Sequence, residues 1–81
     1  MAKGADKAEA ILDALGGKAN IEEIEPCITR LRTVVHDASL VNEAALKSAG
    51  AQGVMARGTV IQVIVGPEAD TLSSDIEDLM E

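Results

Sequence analysis

The stretch Thr59-Val60-Ile61-Gln62-Val63-Ile64-Val65 has five apolar residues among its seven. β-Branched residues dominate it, and its nearly unbroken apolar character predicts a strand buried at the centre of a sheet. Residues 53–58, directly before it, predict a second strand that forms a hairpin with the first. Gly66-Pro67 ends the central strand. Pro67 also suits the first position of the helix that follows.

The sequence around this hairpin predicts three amphipathic helices. The first runs from Asp6 to Leu15 and ends at a pair of glycines. The second begins after Asn42, a residue type that caps helix N-termini, and ends at Gly50. The third follows Pro67 and runs to the C-terminus. Each helix has one apolar face with which to cover a sheet.

Two more strands are predicted between the first and second helices. Residues 21–25 form one, which ends in a turn at Pro26-Cys27. Residues 29–35 form the other, whose alternation puts Arg30 and Arg32 on the same face. The order α-β-β-α-β-β-α predicts the α+β class, a four-stranded antiparallel sheet with three helices packed on one face. This pattern does not determine the order of the strands.

Composition limits the function classes. The 81 residues make one small domain, which we assign to residues 7–81 behind an N-terminal tail of residues 1–6. The chain has no Phe, Tyr or Trp and a formal net charge of −7, which argues against base stacking and nucleic-acid binding. Its single cysteine excludes an internal disulfide and favours a reducing, cytoplasmic environment.

The segment Cys27-Ile28-Thr29-Arg30-Leu31-Arg32 combines a nucleophilic side chain with a pair of cationic ones. Nearby cations favour the thiolate, which is the nucleophilic form of cysteine. Two guanidinium groups on one strand face match phosphate oxygens. The Thr29 hydroxyl and the backbone N–H groups of the turn, that of Ile28 included, supply further phosphate-binding donors. This pattern is compatible with a thiol that accepts a phosphoryl group without a metal ion or other cofactor.

Other interpretations stay open from the residues alone. A lone cysteine is commonly a small buried apolar residue, and strand arginines commonly form a solvated face. The chain would then be a non-catalytic interaction or regulatory domain with an inert Cys27. A thiol redox protein is a third hypothesis, but no second cysteine accompanies Cys27. His36 is the single histidine, and one hypothesis makes it a phosphohistidine. Its position at the end of a strand favours the other hypothesis, an exposed residue without a catalytic role.

The sequence Cys-Ile-Thr-Arg-Leu-Arg at residues 27–32 is preceded by Leu-Gly-Gly and Asn-Ile-Glu-Glu-Ile. It resembles the active-site segment of enzyme IIB domains of the bacterial sugar phosphotransferase system, in the glucose and N-acetylglucosamine branch. The likeness extends through residues 37–53, the central strand and the closing acidic helix, and covers about residues 7–80. It implies the fold already predicted, with four antiparallel strands and three helices on one side.

The resemblance also implies a function. A phosphohistidine of enzyme IIA would donate its phosphoryl group to Cys27, which would pass it to a sugar, N-acetylglucosamine or glucose, held by the membrane transporter enzyme IIC. Thr29, Arg30 and Arg32 match the residues that bind and transfer the phosphate. The isolated domain would be a monomer that works at the cytoplasmic face of the membrane. Pro26 is a difference, because it stands where many relatives have a small residue and removes a backbone donor.

Overall fold

The computed structural model describes residues 3–80, and its main elements there are four strands and three α-helices. The strands are β1 (Ile21–Cys27), β2 (Arg30–Val35), β3 (Gly53–Arg57) and β4 (Val60–Ile64). The helices are α1 (Lys3–Ala14), α2 (Glu43–Ser48) and α3 (Ala69–Met80). All pairs in the sheet are antiparallel and the order is β1-β2-β4-β3. The predicted α+β class is confirmed, and β4 is the predicted central strand.

The helices cover one face of the sheet and leave the other open. Alternate side chains of the two central strands are buried on the covered face: Leu31, Thr33, Val35, Ile61 and Val63. The helices supply the apolar partners, among them Ile11, Leu46, Leu72 and Ile76, and Leu15 adds to them directly after α1. The Thr33 hydroxyl donates to the carbonyl oxygen of Ile61 at 2.8 Å, so this buried polar group is satisfied. Arg30 and Arg32 lie on the open face, as the alternation predicts.

Several predicted boundaries change. β1 continues through Pro26 to Cys27, so the predicted turn at Pro26-Cys27 is wrong. Proline is tolerated there because β1 is an edge strand, where a missing N–H need not remove a sheet hydrogen bond. Helix α1 begins at Lys3 rather than Asp6 and so includes part of the predicted tail. Residues 1, 2 and 81 lie outside the described residues.

The sheet consists of two hairpins with matching registers. Cys27 pairs with Arg30 beside the first turn, and Arg57 pairs with Val60 beside the second. Antiparallel pairing of β2 with β4 puts the two turns at opposite ends of the sheet. Each turn ends in a threonine whose carbonyl oxygen accepts a backbone N–H from the other hairpin region: Val65 N–H to Thr29 at 3.0 Å and Val35 N–H to Thr59 at 2.9 Å. Cys27 and Arg30 of the first hairpin therefore correspond to Arg57 and Val60 of the second.

Candidate active site

Cys27 is the last residue of the edge strand β1, and its side chain is exposed. It pairs with Arg30 across the hairpin, so both side chains lie on the same face of the sheet. Arg32 is two residues further along β2 and shares that face. The structure therefore brings the thiol and both arginines together on the open face. The hypothesis of an inert Cys27 requires a buried cysteine, whereas the structure shows an exposed one.

The turn after Cys27 consists of Ile28 and Thr29. Ile28 has a φ of 56°, the one positive φ of a non-glycine residue that the structure records between residues 3 and 80. β-Branched residues rarely adopt this region, because the side chain meets the backbone. The carbonyl oxygen of Thr29 accepts two N–H groups, from Val65 at 3.0 Å and Gly66 at 2.9 Å. These bonds fix the turn, and with it Cys27, against the end of β4.

Each arginine of the site has a partner on a neighbouring strand. Arg30 donates from Nη1 to Oε1 of Gln62 at 2.8 Å. Arg32 donates from Nη1 to Oε1 of Glu25 at 3.2 Å, which makes an ion pair across β1 and β2. A guanidinium has five N–H donors, so one contact leaves others for phosphate oxygens. The partners hold both cations at the surface around Cys27.

These residues line one depression of about 340 Å³, formed by Cys27, Ile28, Thr29, Arg30, Arg32 and Gln62. All five predicted site residues belong to this lining. A second depression of about 330 Å³ lies elsewhere and is lined by Glu22, Glu23, Ile24, Glu77 and Met80. Its three carboxylates repel a phosphate, whereas the arginines of the first attract one. Of these two depressions, the one around Cys27 therefore has the charge that suits a phosphoryl group.

Sequence reasoning missed two neighbours of the arginines. Gln62 is the one polar residue among the aliphatic residues of β4, and this interruption is the signal that could have identified it. Glu25 lies two residues before Cys27 and therefore on the same strand face. The prediction that β1 ends before Pro26 concealed this relation. Both residues become visible as parts of the site only when the strands are paired.

His36 directly follows β2, at the end of the sheet away from Cys27, and its side chain is exposed. The prediction of an exposed strand-end residue is confirmed. Its Nδ1 lies 3.7 Å from Oε2 of Glu22, and both side chains are more than half exposed. The structure therefore gives His36 no position in the depression around Cys27.

Comparison with known proteins identifies the family of this chain. The sequence profile of the family described as phosphotransferase system, EIIB matches residues 9–42, which include Cys27 and both arginines. The chain is 62% identical over 76 residues to the PTS system N-acetylglucosamine-specific EIIB component of Streptomyces coelicolor, covering 94% of this chain and 99% of that protein. The chain thus belongs to the EIIB family of the sugar phosphotransferase system, in its glucose and N-acetylglucosamine branch. Members of this family are sugar phosphotransferases.

Two further relatives are much longer. The alpha-glucoside-specific EIICB component of Leptotrichia buccalis is 53% identical over 95% of this chain, which spans 15% of that protein. The glucose-specific EIICBA component of Staphylococcus carnosus is 45% identical over 88% of this chain, which spans 10% of that protein. In these names the B component is joined to a C component, and in the second also to an A component. Within residues 3–80 no helix has the length and apolar character to cross a membrane.

A solved structure shares the fold. The crystal structure of one domain of the PTS system IIabc component from Clostridium difficile superposes with a TM-score of 0.82 at 25% identity. The match covers 95% of this chain and 82% of that chain. The four-stranded sheet with three helices is therefore found in an experimental structure of a phosphotransferase system domain.

Proposed function

We propose that this domain is a phosphocarrier that receives a phosphoryl group on Cys27 from a phosphohistidine of enzyme IIA and transfers it to a sugar. The observation that carries the proposal is the register of β1 and β2, with an exposed thiol opposite Arg30 and on the same face as Arg32. Membership of the EIIB family supports the same reaction.

The first transfer exchanges a P–N bond for an S–P bond. The Cys27 thiolate attacks the phosphorus atom of the donor phosphohistidine, and the histidine nitrogen leaves with the electron pair and later takes up a proton. Negative charge spreads over the three equatorial oxygens during this transfer. Arg30 and Arg32 stabilise that charge, and the Thr29 hydroxyl and the Ile28 N–H bind the oxygens of the phosphocysteine.

The second transfer exchanges the S–P bond for an O–P bond. A hydroxyl of the sugar attacks phosphorus and loses its proton to water, and Cys27 leaves as the thiolate. The sugar is N-acetylglucosamine or glucose, and the 62% identity to an N-acetylglucosamine-specific component favours the former. The sugar is presented by a membrane-embedded enzyme IIC, so the domain works at the cytoplasmic face of the membrane. The joining of B to C in the names of two relatives supports this partner. The isolated domain is a monomer.

The test is intact-mass analysis after incubation with phosphoenolpyruvate, the two general carrier proteins and a glucose-type IIA. We expect wild type and His36→Gln to gain one phosphoryl group and Cys27→Ser to gain none. A phosphorylated Cys27→Ser variant, or unphosphorylated wild type beside fully phosphorylated upstream carriers from two cognate systems, contradicts the proposal. The hypothesis of a non-catalytic interaction domain would then gain support.

A further inference from the structure

Gln62 interrupts the aliphatic sequence of β4 with a half-buried polar side chain on the open face of the sheet. A central strand favours β-branched residues, and the other open-face residues of β4, Val60 and Ile64, are of this kind. Glutamine loses more rotamer freedom than either when its side chain is held in one position. The packing of the sheet therefore does not explain why a glutamine stands here.

The strand register shows which neighbours Gln62 can reach. Its Cα partners are Arg32 on β2 and Met55 on β3. Its Oε1 nevertheless accepts from Nη1 of Arg30 at 2.8 Å, which is a diagonal contact between the two strands. Arg32 donates to Glu25 instead. The amide of Gln62 thus binds the diagonal arginine rather than the one directly opposite.

Arg30 depends on this bond for the direction of its side chain. Its Cα partners are Cys27 and Ile64, and neither side chain has an oxygen that accepts from a guanidinium. Between residues 3 and 80, the bond to Gln62 is the one hydrogen bond that the structure records for the Arg30 side chain. Arg30 is exposed, and an exposed arginine loses much rotamer freedom when it binds a ligand. A guanidinium already held at Nη1 loses less of this freedom, because it is oriented before the phosphoryl group arrives.

The amide suits this task because it is neutral. Gln62 lines the depression around Cys27, so a carboxylate at its position would repel the phosphoryl group and cancel the charge of Arg30. The amide oxygen accepts the same hydrogen bond and leaves the charge of the guanidinium for the phosphoryl oxygens. Arg32, in contrast, has the carboxylate of Glu25 as its partner. The two arginines therefore differ in the charge of the group that holds them.

We propose that Gln62 is a positioning residue for the transfer to the sugar, because its neutral amide oxygen orients the guanidinium of Arg30 toward the phosphoryl group on Cys27. As the S–P bond breaks and the O–P bond forms, negative charge spreads over the equatorial oxygens of that group. A guanidinium that is already oriented stabilises this charge without first having to reorganise. Gln62 acts through Arg30 and does not bind the sugar. This inference rests on the proposed function, because it assumes that a phosphocysteine at Cys27 supplies the sugar.

The experiment measures sugar phosphate formed by the complete system, with this domain limiting and the sugar concentration varied. Gln62→Met keeps the length of the side chain but removes the acceptor, and we expect kcat to fall by about tenfold. The KM for the sugar should stay within about twofold of wild type, because Gln62 does not contact the sugar. Gln62→Glu should lose at least as much kcat, because it adds a negative charge beside the phosphoryl group. Met55→Leu alters the other neighbour of Gln62, outside the Cys27 depression, and should match wild type.

A comparison of double variants shows whether Gln62 acts through Arg30. The ammonium group of the Arg30→Lys variant has three rotating donors and no planar fork to orient. Adding Gln62→Met to Arg30→Lys should therefore lower kcat by less than about twofold. Adding it to Arg32→Lys should cost about tenfold, as in wild type, because Arg32 is held by Glu25. Urea unfolding should show Gln62→Met to be as stable as wild type, since the sheet does not depend on the amide.

Three outcomes overturn the inference and leave the proposed function intact. The first is a wild-type kcat in Gln62→Met or in Gln62→Glu. The second is an equal loss on adding Gln62→Met to the Arg30→Lys and Arg32→Lys variants, because Gln62 would then act independently of Arg30. The third is a loss of stability in Gln62→Met that parallels the loss of kcat, which would make Gln62 a residue of the fold. Wild type that receives no phosphoryl group on Cys27 refutes the proposed function instead.

Discussion

The β1–β2 hairpin turns through Ile28-Thr29, and the β3–β4 hairpin turns through Gly58-Thr59. The first turn residue has nearly the same φ in both, 56° and 59°. The residue before the turn is Cys27 in one and Arg57 in the other. The residue after it is Arg30 in one and Val60 in the other. The comparison teaches that the backbone of the hairpin does not make the site, because the same backbone without these side chains carries no nucleophile and no paired arginines.

The largest expected effect comes from moving the cysteine between hairpins. In the double variant Cys27→Ser, Arg57→Cys the thiol stands at the corresponding position but pairs with Val60 instead of an arginine. We expect phosphorylation by phospho-IIA to fall by at least about a hundredfold, the effect of losing electrostatic stabilisation of the transferred group. Intact mass over time measures it, and iodoacetamide labelling confirms that the new thiol is accessible. Phosphorylation at the wild-type rate would contradict the role of the arginines.

Replacing arginine by lysine compares the hairpins more conservatively. Arg30→Lys and Arg32→Lys keep the charge but lose the planar fork, so we expect transfer to the sugar to slow by about tenfold to a hundredfold. Arg57→Lys is the matched control in the second hairpin and should phosphorylate sugar at the wild-type rate. The measurement is sugar phosphate formed by the complete system. Equal rates in all three variants would remove Arg30 and Arg32 from the mechanism.

The two turn tips should respond to exchange in opposite directions. Gly58→Ile introduces a β-branched residue at positive φ, and we expect it to lower the free energy of unfolding by about 1–2 kcal/mol. Open space surrounds the position of the added Cβ, so this loss is conformational rather than steric with neighbours. Ile28→Gly should leave stability unchanged or raise it by up to about 1 kcal/mol, because relief of strain exceeds the entropy of glycine. Urea unfolding measures both, and a strong loss in Ile28→Gly would show that Ile28 is not strained.

The smallest effect on stability is expected at the cross-strand pair two residues away from each turn. Glu25 and Arg32 form an ion pair in the first hairpin, whereas Met55 faces Gln62 in the second. The side chains of Glu25 and Arg32 are 57% and 40% exposed, so water screens the pair and Glu25→Gln should lower the free energy of unfolding by less than about 1 kcal/mol. Urea unfolding at low and high salt checks this estimate. A larger loss that persists at high salt would mean that the pair holds β1 in place.

Part of the site could be predicted without coordinates. The alternation in β2 assigns Arg30 and Arg32 to one face, because side chains of a strand alternate with a period of two. The extent of β1 could not be predicted, because Pro26 indicates a strand end wherever the strand is not at an edge. Gln62 could not be linked to Arg30 either, since nothing local specifies that β4 pairs with β2. The positive φ of Ile28 contradicts the preference of its own residue type and follows from closing the hairpin between fixed strands.

By itself, the sequence determined the number and kind of the main elements, the α+β class, the two faces of β2, and the segment that carries the nucleophile. These follow from periodicity, turn residues and local composition, which act between near neighbours in the chain. Only the tertiary structure decided the strand order, the edge position of β1, the pairing of Cys27 with Arg30, and the contacts of the arginines with Gln62 and Glu25. These depend on hydrogen bonds and packing between distant segments, whose free energy appears only when the whole sheet and its helices assemble.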